Sequence, residues 1–354
     1  MRSMRAMVAV SALVLAAGVL CAMVAHAQDT SGGSYKVLKT ARTGGEGGFD
    51  YIFADVPARR LYIPRRAPSG LTVFDLDTLA PIGAIPEVAA GGAVVDPKSH
   101  HGFSTTNPIT MWDAGSLKVL KTIDVGGRPD GILFDRFNER VWILSHQPPY
   151  ATVIDAAQGK VVGAIDLGGA PEEAVADGKG TVYINISNKS NVAVVDAATL
   201  AVKAHYDLSS KGVTGGSGLA LDNKNGILFA YYRQPSPTVV ILSAKDGTIL
   251  ATLPTGNQVD TVAFNPKTME AISAEGGGTM TFIKESSPAS FAVEQTLTTM
   301  PGAKTLAFDA KTGRLLTMTA EFAPPPADAP PPPPGRPARG PMIPGSFTIL
   351  MVGK

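Results

Sequence analysis

Acidic side chains recur at one position of a repeated pattern in this 354-residue chain. A short apolar segment ends in Asp or Asn seven times, and the residues five positions before those endings are Asp50, Gly91, Asp130, Glu172, Ser217, Asp260 and Lys304. If these positions meet, four carboxylates and one ammonium would form a site for an amine or another small polar ligand. Carboxylates are also hard oxygen ligands, so the candidate ligands of a divalent cation such as Ca²⁺ are Asp50, Asp130, Glu172 and Asp260. The alternative is that basic side chains of neighbouring loops pair with the acids.

A second group of polar residues precedes the third strand of several repeats and includes Arg65, His146, Tyr232 and Arg233. His146 as a general base, with Glu173 and Arg233, would be the candidate catalytic set of a hydrolase. Arg65 and Tyr232 are candidate ligand-binding residues. Each has a structural alternative, since His146 could be an exposed loop residue, Arg65 could offset the acids and Tyr232 could pack against a neighbouring repeat. No complete nucleophile-elbow, zinc-protease or nucleotide-loop motif occurs.

The repeat predicts the elements that position these residues. Its endings are Asp55, Asp96, Asp135, Asp177, Asp222, Asn265 and Asp309, spaced 41, 39, 42, 45, 43 and 44 residues apart. Three further β-branched-rich segments follow each ending, which indicates four antiparallel strands per copy. Seven copies of this period predict an all-β, seven-bladed β-propeller. The repeated Asp or Asn precedes a turn in each copy, so we interpret it as a turn cap.

The two ends of the repeat array complement each other. The last copy lacks a fourth strand, and the segment 35–40 at the other end of the array has no copy of its own. That segment resembles the fourth strand of the second copy, 118–122. We therefore predict that the N-terminal strand completes the last blade and closes the ring, which leaves no blade short of an edge strand.

Short motifs within the copies also resemble a known family. The fourth copy has Gly-Ala-Pro at 169–171, an aromatic strand ending in Asn188, and Val-Asp-Ala-Ala-Thr at 195–199. This pattern resembles the YVTN-type repeat of YncE-like seven-bladed β-propellers, and the resemblance covers residues 35–352. It implies the propeller fold, and it implies a binding role more than a particular ligand, because the repeat motif is structural.

The first 27 residues have the features of an export signal. Arg2 and Arg5 precede the apolar run Met7–Val24, and an Ala-His-Ala sequence ends at Ala27. We therefore predict a cleaved signal peptide, 1–27, and a periplasmic or secreted domain, 28–354, with no membrane span after cleavage. A membrane anchor is the alternative. Cys21 is the only cysteine, so the mature chain would have no disulfide.

One insertion interrupts the period in the last copy. Residues 321–345 contain 11 of the 28 prolines and lie between the second and third strands of the last blade. We expect this loop to be extended polyproline II or disordered. A lid or partner-binding arm is one interpretation, and a tolerated surface insertion is the other.

Composition limits the function further. The formal net charge is +1 and charged residues are 17% of the chain, so nucleic-acid binding is not expected. We predict an exported binding protein whose acid-lined channel mouth takes a small polar ligand, a cation, a peptide or a partner protein. No cofactor is indicated beyond a divalent cation. The alternative is a lactonase-like hydrolase of the seven-bladed propeller class.

Overall fold

The structure is a computed structural model that describes residues 35–331 and 338–354. The predicted signal peptide, 1–27, lies outside the described residues. The described chain begins at the outer edge of the last blade with β1 (Lys36–Arg42), and the other strands follow as six complete sheets and the remainder of a seventh.

Blades 1 to 3 are consecutive antiparallel meanders. Blade 1 contains β2 (Phe53–Asp55), β3 (Arg60–Pro64), β4 (Leu71–Asp75) and β5 (Pro81–Ile85). Blade 2 contains β6 (Ala93–Val95), β7 (His101–Ser104), β8 (Ile109–Asp113) and β9 (Lys118–Ile123). Blade 3 contains β10 (Pro129–Asp135), β11 (Arg140–Ser145), β12 (Ala151–Asp155) and β13 (Lys160–Ile165).

Blades 4 to 7 repeat the same order. Blade 4 contains β14 (Pro171–Ala176), β15 (Thr181–Ile186), β16 (Asn191–Asp196) and β17 (Val202–Asp207), and a short 3₁₀ helix (Ser209–Lys211) follows it. Blade 5 contains β18 (Thr214–Asp222), β19 (Ile227–Gln234), β20 (Thr238–Ser243) and β21 (Ile249–Pro254). Blade 6 contains β22 (Val259–Asn265), β23 (Glu270–Glu275), β24 (Thr279–Ser287) and β25 (Ser290–Thr298). Blade 7 contains β26 (Leu306–Asp309), β27 (Arg314–Thr319), β28 (Thr348–Gly353) and β1. The predicted seven-bladed propeller of four-stranded antiparallel blades is confirmed.

The ring closes as predicted. β1 pairs antiparallel with β28, from Lys36 opposite Gly353 to Arg42 opposite Thr348. The two ends of the described chain also meet blade 6. The Tyr35 hydroxyl donates to Glu270 Oε2 at 2.6 Å, and Lys354 Nζ donates to Glu270 Oε1 at 3.1 Å.

The repeated turn residue caps its own turn in every blade. All seven Asp and Asn side chains accept a backbone N–H from two or three residues further along the chain. In blade 5, for example, Asp222 accepts from the amides of Lys224 at 2.9 Å and Asn225 at 3.1 Å. Gly226 ends that turn with φ +66°, a left-handed conformation that costs glycine nothing. These acids therefore have a local structural role.

The hydrophobic core lies between blades. Trp142 of blade 3, for example, is fully buried in a cluster with Val182 and Ile184 of blade 4. Another cluster joins Leu61 of blade 1 to Leu316 of blade 7 across the closure. Burial of one such side chain stabilises the fold by about 1.5–3 kcal/mol. The stacked blades hold their innermost strands around a common axis.

The proline-rich insertion leaves blade 7 after β27 and returns before β28. Its two flanks pair with each other through a single antiparallel bridge between Phe322 and Met342. The Ala323 amide donates to Pro341 O at 2.9 Å, and the Arg339 guanidinium lies 4.9 Å from the centre of the Phe322 ring. The flanks are therefore a narrow stem, and residues 332–337 lie outside the described part.

Candidate functional site

The first strands of the blades bring the candidate acids to one end of the central channel. In an antiparallel meander the first strand is followed by a reversal, so the segments before all seven first strands lie on the same face. We call this end the mouth. Backbone contacts join the segments around it. The Tyr51 amide donates to Gly91 O at 3.0 Å, and the Thr305 hydroxyl donates to Asp50 O at 2.7 Å.

A local distortion aims several of these side chains into the channel. Blades 3 to 6 each have a register shift near the start of the first strand, between Pro129 and Ile132, Pro171 and Ala174, Gly216 and Leu219, and Val259 and Val262. Such bulges redirect side chains. Asp130, Glu172 and Asp260 all lie within a bulge. The repeat identified these positions, but the pattern alone did not reveal the bulges.

Charged side chains of the mouth form one continuous chain in which acids and bases alternate. We call it the mouth chain, and its order is Asp50, Lys304, Asp260, Arg233, Glu172, His146 and Asp130. It runs from blade 1 through blades 7, 6, 5 and 4 to blade 3. Five of its seven members come from the predicted position before a first strand, and the other two, His146 and Arg233, come from the ends of second strands. The structure thus brings together the four candidate acids and most of the candidate bases.

Lys304 links the two acids at the start of the mouth chain. Its Nζ donates to Asp50 Oδ1 at 2.9 Å and also to Asp260 Oδ2. Burial of Lys304 opposes its charge, but Asp260 and Asp50 outweigh that effect and raise its pKa above the usual value. Only 9% of the Asp260 side chain is exposed, so its charge depends on the cations beside it, Lys304 and Arg233.

Arg233 continues the mouth chain. Its Nη2 contacts Asp260 Oδ1 and lies 3.4 Å from Glu172 Oε1, while its Nε donates to Val259 O at 2.8 Å. Burial opposes the charge of this guanidinium, but Asp260 and Glu172 raise its pKa. Arg233 thus donates to three acceptors and is a fixed counter-ion of Asp260 and Glu172.

His146 stands between two carboxylates. Its Nε2 lies 3.1 Å from Glu172 Oε2 and 3.3 Å from Asp130 Oδ2. On the other side of the ring, Arg128 Nη2 lies 2.6 Å from Nδ1. An arginine can only donate, so Nδ1 must be the acceptor and Nε2 carries the proton in this arrangement. The hydrogen bond to Glu172 is the main reason why the pKa of His146 is raised.

Asp130 ends the mouth chain and titrates abnormally. Burial, followed by the negative charge of Asp50, raises the pKa of Asp130 to about 6, against the smaller opposing effect of His146. Asp50 and Asp130 belong to blades 1 and 3. Blade 2 lies between them and has Gly91 at the equivalent position. Blade 2 therefore places no basic side chain at this position between the two acids.

Two further polar groups, Tyr51 and Glu173, lie close to the acids of the mouth chain. Tyr51 was not predicted as a site residue, although it adjoins Asp50 in the sequence. Burial and the charges of four acids, in the order Asp130, Glu172, Asp260 and Asp50, raise the pKa of the Tyr51 phenol well above its usual value. Glu173 accepts the Leu219 amide at 2.9 Å, and burial raises its pKa well above the usual range. Backbone amides therefore hold the Glu173 carboxyl group, and Glu173 is not a member of the mouth chain.

Arg65 and Tyr232 lie away from this cluster. Arg65 is 1% exposed, its guanidinium stacks 3.9 Å from the centre of the Phe347 ring, and it donates to Gly47 O at 3.0 Å. Burial without a carboxylate partner lowers the pKa of Arg65 to about 10. Tyr232 is 1% exposed and packs in the core between blades 4 and 5. Tyr232 thus packs against a neighbouring blade, which was the alternative to ligand binding. Neither Arg65 nor Tyr232 is exposed at the mouth.

The arrangement bears on metal binding. The four candidate acids do not converge on one point, because Lys304 and Arg233 lie between them. A different set does converge, since ligand atoms of Asp130, His146 and Glu172 all lie within 4.8 Å of one another. A metal on His146 Nε2 would require the proton on Nδ1, where Arg128 already donates. This set can accept a transition metal only if the exposed Arg128 side chain turns away.

Comparisons with known proteins define the fold and no more. No family model matches the chain, and no curated protein matches it. Among solved structures, RRP9 WD40 repeats superpose with a TM-score of 0.66 at 12% identity, covering 90% of this chain and 97% of that one. Hydrazine synthase of Kuenenia stuttgartiensis superposes with a TM-score of 0.64 at 14% identity, covering 76% and 92%. These similarities define the class, a seven-bladed β-propeller.

Helices contribute little to the described part of the chain. The one short 3₁₀ turn is the only helical element there, and no described helix is long and apolar enough to span a membrane.

Proposed function

We propose that this propeller is a binding protein whose channel mouth takes a small, positively charged organic ligand. The mouth chain carries the proposal. Its four carboxylates face two permanent cations within the chain, Lys304 and Arg233, and a third, Arg128, beside His146, so one net negative charge remains when His146 is neutral. A concave site walled by low-dielectric protein strengthens the attraction of such a charge for a cation.

The ligand we favour is organic rather than a bare metal ion. Arg128 donates to His146 Nδ1, and this hydrogen bond opposes the tautomer that a metal on Nε2 would need. Lys304 and Arg233 occupy carboxylate oxygens that Ca²⁺ would otherwise use. The binding screen described below therefore also includes Ca²⁺.

The hydrolase alternative gains no support from the geometry. Its three candidate residues were His146, Glu173 and Arg233. The hydrogen bonds of Glu173 are with backbone amides, of which Leu219 is one, whereas His146 contacts Glu172. Arg233 is held by two carboxylates and a carbonyl. We therefore do not adopt this activity.

The compartment belongs to the same proposal. The features of residues 1–27 support export to the periplasm or beyond, where the mature chain would begin at Gln28. N-terminal sequencing of the protein purified from a secreting host checks this directly, and a chain that retains Met1 would contradict it. The YVTN-type motifs support membership of the YncE-like propellers in the same way, as a proposal.

A thermal-shift and calorimetric screen tests the binding function. We expect small amines to raise the melting temperature at pH 7.5 and low salt, and Ca²⁺ to have little effect with or without EDTA. Glu172→Gln removes one of the paired charges and should weaken amine binding. Glu139→Gln is the matched control, because Glu139 pairs with the exposed Lys98 on the opposite face. If no organic cation shifts the transition of the wild-type protein, the proposed function is wrong.

A further inference from the structure

The mouth chain is an incomplete ring. It passes through blades 1, 7, 6, 5, 4 and 3 with alternating charge, and it begins and ends with a carboxylate, Asp50 and Asp130. The interruption falls at blade 2. The residue there at the position equivalent to Lys304 is Gly91, which has no side chain.

Space for a side chain exists at this interruption. A Cβ atom added to Gly91 would lie 3.7 Å from Asp130 Oδ1 and 3.5 Å from Thr105 Oγ1, which are ordinary contact distances. Gly91 does not have a positive φ, so its backbone conformation is open to other residues. Its carbonyl accepts the amide of Tyr51, the residue next to Asp50. Gly91 therefore lies between the two terminal carboxylates without a conformational need for glycine.

A second polar group points to the same place. Tyr51 is half-buried beside the mouth chain, and the four acids of that chain all act on its phenol. Its backbone amide donates to Gly91 O at 3.0 Å, so the Tyr51 backbone lies directly beside the interruption.

We propose that a primary ammonium group of the ligand binds at Gly91, between Asp50 and Asp130, and completes the ring of alternating charge. This inference rests on the proposed function and narrows it to primary amines. An ammonium has three donors, and the position offers it the carboxylates of Asp50 and Asp130, with Thr105 Oγ1 3.5 Å from a Cβ atom added to Gly91. At blade 2, the ammonium of the ligand pairs with the neighbouring carboxylates, as the ammonium of Lys304 does at blade 7.

Ethanolamine and tetramethylammonium are the two probes. They carry the same charge, but only ethanolamine has N–H donors. We expect ethanolamine to stabilise the wild-type protein and tetramethylammonium to have at most a weak effect. Asp130→Asn should weaken ethanolamine binding by about tenfold or more, because it removes one charged acceptor. Equal binding of both probes would overturn the proposal that the site recognises N–H donors, since it would show that the site responds to positive charge alone.

Substitutions at Gly91 test the location. Gly91→Lys should place its own ammonium in the gap, so the variant should melt at a higher temperature than the wild type and no longer respond to ethanolamine. Gly91→Met has similar length without the charge, and we expect it to block ethanolamine without the stabilisation. Gly91→Ala should still bind.

The outcomes separate this inference from the proposed function. If wild-type protein binds ethanolamine and Gly91→Lys binds it equally well, the mouth binds amines but not at blade 2. If wild-type protein binds no organic cation, the proposed function itself fails. Should Gly91→Lys not fold, Gly91→Met and Asp130→Asn still decide the location, because undiminished binding by both would exclude it.

Discussion

The two faces of the propeller use acidic residues in different ways. On the turn face, which holds the turns between first and second strands, each blade has an Asp or Asn that caps its own turn within three residues. On the mouth face, the acids pair with bases from other blades, and the mouth chain crosses six of the seven blades.

This difference follows from what is repeated. A residue present in every blade satisfies a requirement of every blade, such as the unpaired amides of a turn. A residue that differs from blade to blade, such as the basic Lys304 or the uncharged Gly91 at a position that is acidic in four blades, has its effect only where the blades meet. The non-repeated positions on the innermost strands are therefore the ones that define a site.

The largest expected effect comes from removing Lys304, the first cation of the mouth chain. Lys304→Met leaves Asp50 and the largely buried Asp260 without that partner, so we expect a loss of about 3–5 kcal/mol in the free energy of unfolding. Urea denaturation at pH 7.5 measures it. Lys98→Met, which breaks an exposed pair on the turn face, is the control and should leave the transition unchanged. Equal effects of the two changes would contradict the contrast between the faces.

Ion pairs on the turn face also cross between blades, and one of them involves a buried carboxylate. Arg59 of blade 1 donates to both carboxylate oxygens of Asp309 in blade 7, at 2.9 and 2.7 Å, and the Asp309 side chain is 1% exposed. We expect Arg59→Met to cost about 2–3 kcal/mol in the free energy of unfolding, less than the Lys304 change because only one buried carboxylate loses its partner.

The pH dependence of the stability lost in Arg59→Met distinguishes a lost ion pair from lost packing. Burial opposes the charge of Asp309, but Arg59 outweighs it and lowers the pKa to about 2. The stabilisation is therefore present above the usual Asp pKa and disappears as pH falls toward 2. Wild-type protein and Arg59→Met should become equally stable in acid, and a constant difference down to pH 2 would show that lost packing, not charge, is responsible.

Asp130 should show the opposite trend with pH. Its raised pKa of about 6 means that the folded protein holds the proton more tightly than the unfolded chain, so ionisation costs stability as pH rises from about 4 to 6. Asp130→Asn removes this cost. We expect the variant to gain about 1–2 kcal/mol relative to wild type between pH 4 and pH 7, measured by denaturation at each pH. Asp196→Asn, at an exposed turn, should show no such gain over this interval.

The smallest expected effect is at a repeated turn cap. Blade 6 has Asn265 where the other blades have Asp, and its side chain accepts the Lys267 amide in the same way. Asp222→Asn should therefore change stability by less than about 0.5 kcal/mol, whereas Asp222→Ala should cost about 1 kcal/mol or more because the amides of Lys224 and Asn225 lose their acceptor. If Asp222→Asn costs as much as the alanine change, the charge matters and the local interpretation is wrong.

Much of the architecture could be predicted from the repeat. The period identified seven blades, and the unmatched strand at 35–40 correctly predicted the closure by β1. The positions before the first strands were also predictable, because the meander places all of them on one face. The pairing of His146 with Glu172 instead of Glu173 could not be predicted, since Glu172 lies in a bulge that no residue pattern marks. The position of Tyr51 among the acids could not be predicted either, because it depends on contacts between blades.

The amino-acid sequence by itself determined the blade count, the turn caps and the set of charged residues around the axis, because these depend on local periodicity and on short-range hydrogen bonds. Only the tertiary structure decided which acid pairs with which base. Those contacts join residues up to 254 positions apart, as in Lys304 and Asp50. They form only when the ring closes and brings blades 1 and 7 side by side, and that same closure leaves Gly91 facing two carboxylates.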